Sequence, residues 1–101
     1  MEPWFGTFHV RPTSAAAQLP EDIAGGYVHM LAMAADDTSF RSLVRERLAQ
    51  EHLGVVEVEE AMKVAGMDTE LDAAGHSALA RLKEGSAVEA GTFFGYTKDD
   101  A

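Results

Sequence analysis

Between Asp37 and Gly54 the apolar residues recur at helical spacing. Phe40, Leu43, Val44 and Leu48 make a stripe, with Arg47 laying its stem along the edge. The segments on either side have a different period. That change constrains the fold more than any other feature, because one amphipathic helix must bury its stripe against surfaces that strands supply. Asp37, Thr38 or Ser39 stands where an N-cap is needed, and Gly54 offers a left-handed stop.

Upstream, Trp4 to Val10 reads as a half-buried strand. Trp4, Phe8 and Val10 share one parity with Gly6 between them, and Thr7, His9 and Arg11 share the other. Phe5 breaks the pattern, and Pro12 ends the strand because it donates no ladder hydrogen bond. Residues 13–26 read as a long loop, rich in small residues and closed by a glycine pair. Tyr27 to Ala35 is a nearly continuous apolar run, the mark of a buried central strand.

Downstream, His52 to Val64 alternates valine with glutamate. Strict alternation places Val56, Val58 and Met62 inward and Val55, Glu57, Glu59 and Ala61 outward, with Glu60 on the buried parity near the strand's end. A second helix is expected within residues 65–85. Thr69 and Asp72 resemble a capping box, and Leu71, Ala74, Gly75, Ala78, Leu79 and Leu82 form a narrow stripe before the Gly85 stop. Ala87 to Tyr96 reads as the last strand. Val88, Ala90, Thr92, Phe94 and Tyr96 share one parity, and Gly91 and Gly95 mark a bulge or a close backbone approach. Residues 97–101 form a tail expected to fray.

The expected architecture is a single α+β domain over residues 1–101, in the order β-β-α-β-α-β. It has a four-stranded mixed sheet and two helices packed on one face. A ferredoxin-like arrangement is a relative, and would require a helix inside residues 13–26.

Composition narrows the chemistry. The chain contains no cysteine, which excludes disulfide scaffolds, thiol nucleophiles and thiolate metal sites. No apolar run approaches the roughly 20 residues of a membrane span. No cationic segment leads into an apolar one at the N-terminus, so a cytoplasmic location without a membrane is expected. Eight basic residues against 17 acidic ones leave a charge of −9, most of it from Glu51 onwards. Such a surface repels nucleic acid and anionic lipid, and attracts a basic protein partner.

Glu57, Glu59 and Glu60 form the densest carboxylate cluster and are the expected partner-binding residues. His9, His29, Phe93, Phe94 and Tyr96 are the candidates for a ligand site. No local HxxxH, HExxH, G-x-S-x-G, Walker or dinucleotide pattern accompanies them, so no catalytic residue, metal ligand or cofactor is assigned. The leading expectation is a small binding module that docks a basic protein, as an inhibitor, immunity-type or adaptor protein would. The alternative is a dimeric small-molecule-binding or enzymatic α+β domain. A homo-oligomer joined through an exposed sheet face is a further expectation, with Phe5 as the residue to watch.

Overall fold

A computed structural model describes residues 1–17, 19–67 and 71–98. Strands β1 (Glu2–Pro12) and β2 (Ile23–Ala34) lead into helix α1 (Asp37–Gln50). Strand β3 (Leu53–Lys63) and a 3-10 turn (Val64–Gly66) follow, then helix α2 (Ala73–Lys83) and strand β4 (Val88–Thr97). The element order and the α+β class are those expected.

The strands line up as β3-β1-β2-β4, and every neighbouring pair is antiparallel. The sheet is therefore not mixed. Helix α1 carries the chain from β2 across β1 to β3, and α2 carries it from one edge to the other. Neither crossover joins neighbours, so no parallel pair is hydrogen-bonded.

The two helices lie on opposite faces, not on one. Trp4 pairs with Ala32 and Phe8 with Val28, so these side chains share a face. They bury together with Phe40, Val44 and Leu48 of α1. Phe5 pairs with Leu31, one residue out of phase, and these two bury with Ala78 and Leu82 of α2. Phe5 looked misplaced along its strand because the period-two pattern assumed one buried face. It is 5% exposed, so it is no contact patch on the surface.

The α1 face is the larger core. Trp4 stacks on Phe40 with ring centroids 5.9 Å apart, and Phe8 meets Phe40 edge-on at 5.7 Å. Gly6 makes room for both rings, since a Cβ there would stand 2.8 Å from Phe8 and 2.9 Å from Phe40. The buried Trp4 indole N–H has no acceptor among the described residues. Leaving it so costs about 1–3 kcal/mol. The ring's burial, at about 25 cal/mol for each of ~150–250 Å², outweighs that.

The caps differ from the expected ones. Asp36 caps α1, its side chain accepting from the Ser39 amide at 2.8 Å. Helix α1 ends at Gln50, four residues before Gly54, and His52 takes the left-handed conformation with φ of 59°. Gly54 already belongs to β3, opposite Arg11. Asp72 caps α2 by accepting from the Gly75 amide at 2.7 Å. The other half of the expected capping box, Thr69, lies outside the described residues. No helix forms among the described residues of the loop between β1 and β2, and β2 begins at Ile23 rather than after the glycine pair. No helix among the described residues is long and apolar enough to cross a membrane.

Two bulges reset the phase of β3. The register slips between Thr7 and Phe8, leaving Glu59 as an extra residue, and again between His9 and Val10, leaving Val56. Val55, Val58 and Ala61 consequently pack on the α1 core, while Val56 is 54% exposed. Glu57 and Glu60 come to the α2 face, opposite His9 and Thr7. Strict alternation had paired Glu57 with Glu59 and sent Val56 inward. Strand β4 slips too, around Gly91 and Thr92, so Phe93 pairs with Val28 and Phe94 with Tyr27. Those two phenylalanines thus stand on opposite faces.

Candidate functional site

Helix α2 covers only one end of its face. Beyond the Phe5–Leu31 row, no helix among the described residues covers the successive rows of side chains that run across the sheet. The middle row is Glu57, His9, Tyr27 and Phe94, one from each strand in the order β3-β1-β2-β4. The row nearer α2 holds Glu60, Thr7 and His29. The row farther away holds Arg11, Gly25 and Tyr96.

A hydrogen-bonded centre ties these rows together. Tyr96 lies over Gly25, where a Cβ would come within 2.6 Å of its hydroxyl. Glycine is thus the residue that lets the phenol lie flat on the strand. From there the hydroxyl oxygen lies 2.8 Å from His9 Nε2 and accepts from Arg11 Nε at 3.1 Å. With Arg11 donating to the phenol oxygen, the imidazole tautomer sets whether His9 Nε2 accepts from the hydroxyl or donates to it. The His9 ring stacks on Tyr27 with centroids 4.7 Å apart and planes at 20°. Tyr27 and Phe94 are 36% and 53% exposed, an aromatic surface offered to solvent.

His29 forms the second centre. It meets Phe94 edge-on at 5.4 Å and Phe5 at 5.1 Å, and its Nδ1 lies 3.9 Å from Asp72 Oδ2. Asp72 does double duty. One oxygen caps α2, and the other accepts from the Thr92 hydroxyl at 2.7 Å. The Thr92 hydrogen bond and the Gly75 amide together hold its carboxyl below the usual carboxylate range. Glu60 accepts from the Thr7 hydroxyl at 3.2 Å.

The structure therefore brings together His9, His29, Phe94, Tyr96, Glu57 and Glu60, all named from the sequence. It separates two others. Phe93 lies over Gly26 on the α1 face, and Glu59 sits exposed at a bulge with no cross-strand register partner. Sequence reasoning missed Tyr27, Arg11, Thr92 and the second role of Asp72. Tyr27 and Arg11 had a signal in their parity with the histidines, but nothing local revealed the register. Among the described residues no group of three His, Asp or Glu side chains converges as a metal site.

Beside α2 the open face is recessed. The recess has a volume of about 220 Å³ and lies among Phe5, His29, Glu60, Met62, Met67, Leu71 and Asp72. No protein-family model, no curated protein and no solved structure was found to match this chain.

Proposed function

We propose that this chain is a protein-interaction module that docks a basic partner surface on the uncovered half of the α2 face. The observation that carries the reading is the exposed aromatic pair Tyr27 and Phe94, in one row with Glu57 and one row away from Glu60, in a chain of net charge −9. Exposed aromatic area supplies contact energy, and arginine or lysine side chains stack on such rings. The glutamates supply steering and orientation. Exposed aromatic rings beside a recess of only about 220 Å³ suit a macromolecular partner better than a small ligand, which takes a larger cavity. Nucleic acid also stacks on aromatic sheet faces, but its phosphates would meet this acidic surface. A second copy would bring the same charge against itself. Glu59, on the edge strand, extends the acidic rim and guards that edge against strand pairing.

The test is capture of partners from the source lysate at low and moderate salt, with the wild type and two double variants. One is Glu57→Lys with Glu59→Lys, and the other is Tyr27→Ala with Phe94→Ala. A stoichiometric basic partner that is lost as salt rises, and lost by both variants, supports the reading. An association rate insensitive to salt, or a partner retained by both variants, overturns it.

A further inference from the structure

We infer that the recess beside α2 receives one lysine side chain of that basic partner; this rests on the docking reading above. Three observations converge. The recess opens on the docking face itself. Its walls are Phe5, Met62, Met67 and Leu71, and its polar groups are Glu60, Asp72 and the His29 ring, whose Nδ1 lies 3.9 Å from Asp72 Oδ2, so apolar surface and carboxylate charge share one cavity. Its volume, about 220 Å³, falls below the range of about 300–1,000 Å³ typical of small-molecule sites and suits a single side chain.

The chemistry selects an amphipathic cation, with methylenes along the walls and a charged head at the carboxylates. It also selects lysine over arginine. Arginine recognises a carboxylate by a parallel fork that needs both oxygens. Here both Asp72 oxygens and one Glu60 oxygen already accept hydrogen bonds, from Gly75, Thr92 and Thr7. An ammonium is a point charge with three rotatable donors, and it can use the lone pairs that remain.

The probe is n-butylammonium, the lysine side chain without its backbone, titrated while the methyl signals of Met62 and Met67 are followed by NMR. The expected result is a saturable shift of both methyls, several-fold weaker binding of n-butylguanidinium, and several-fold weakening by Glu60→Gln or Asp72→Asn. Asparagine caps a helix as well as aspartate does, so the second variant keeps α2 in place; an unchanged circular dichroism spectrum checks it. No saturable shift, or equal binding by both variants, overturns the inference.

The captured partner separates the two proposals. If Glu57→Lys with Glu59→Lys abolishes capture but Glu60→Gln with Asp72→Asn leaves it at wild-type affinity, docking stands and the lysine inference falls. If salt and every variant leave capture unchanged, docking falls and the partner lysine falls with it, whatever n-butylammonium does. An affinity about tenfold lower in the Glu60→Gln, Asp72→Asn variant supports both.

Discussion

The two faces of this sheet are built from the same strands and have opposite fates. Behind α1, Phe8, Val10, Met30, Ala32, Phe40 and Val44 are at most 1% exposed. On the other face α2 covers the Phe5–Leu31 row and stops, and the rows beyond it carry histidine, tyrosine, threonine and charge. Hydrophobic character alone does not separate them. Phe5 and Phe94 belong to the same face and the same residue type, yet one is 5% exposed and the other 53%. The position of a helix of 11 residues decides which is core and which is surface. Where the helix ends, hydrogen-bonded Thr7, His9 and Tyr96 join the exposed rings of Tyr27 and Phe94.

The strongest way to break that contrast is truncation of matched aromatics. Phe8→Ala, within the α1 core, is expected to lose about 3–5 kcal/mol by urea unfolding. Phe94→Ala should stay within about 1 kcal/mol, because surface substitutions move stability little. Equal losses would mean that the outer rows are packed after all.

Gly25→Ala is expected to cost about 1–3 kcal/mol by overpacking, since its Cβ would meet the Val10 carbonyl and the Tyr96 hydroxyl at 2.6 Å each. It should also move the His9 ring signals, by lifting Tyr96 off the strand. Tyr96→Phe keeps the ring and removes only the hydroxyl bonds to His9 and Arg11, so a smaller loss of about 0.5–1.5 kcal/mol is expected. A neutral Tyr96→Phe would show that the open face's hydrogen bonds merely replace water.

His52→Gly lies outside both faces and is a control on them. A non-glycine residue in the left-handed region costs about 1–2 kcal/mol, partly offset by the extra freedom glycine brings to the unfolded chain. A net gain of about 0.5–1 kcal/mol in unfolding free energy is therefore expected, read as a rise in the urea midpoint, with both faces unchanged.

The smallest effect is on pH, and it is shared by the two helices. The Ser39 amide holds the Asp36 carboxyl below its usual range, as Thr92 and Gly75 hold Asp72. A carboxyl with a depressed folded-state pKa contributes stability that is present above its unfolded value, about 3.9 for aspartate, and is lost as pH falls through the folded value. Melting temperatures measured between pH 5 and pH 2.5 should fall less steeply in Asp72→Asn and in Asp36→Asn than in the wild type. A slope unchanged in both would assign the acid loss to other carboxyls, such as Glu89, which Ser86 and Arg81 also hold down.

Much of the fold was legible along the chain because element type is a local property. The 3.6-residue period from Phe40 to Leu48, the aromatic alternation from Trp4 to Val10 and the apolar run from Tyr27 each named their element correctly. Gly91 marked the irregularity in β4 for the same reason. The site was half legible. Glu57, Glu60, His9, His29, Phe94 and Tyr96 stood out by residue type, but their grouping did not. A bulge inserts one residue and inverts every side chain beyond it, and the valine–glutamate alternation of β3 holds no sign of two such slips.

By itself, then, the sequence determined the number, order and kind of elements, the acidic character and the absence of thiol chemistry. These depend on residue type and on neighbours within one turn or one pleat. Only the tertiary structure decided that the helices take opposite faces, that Glu57 joins Glu60 rather than Glu59, and that His9 meets Tyr96, 87 residues away. Those outcomes follow from strand register and from the side on which each crossover passes. Both are set by contacts between distant segments, whose energies no short window of the chain contains.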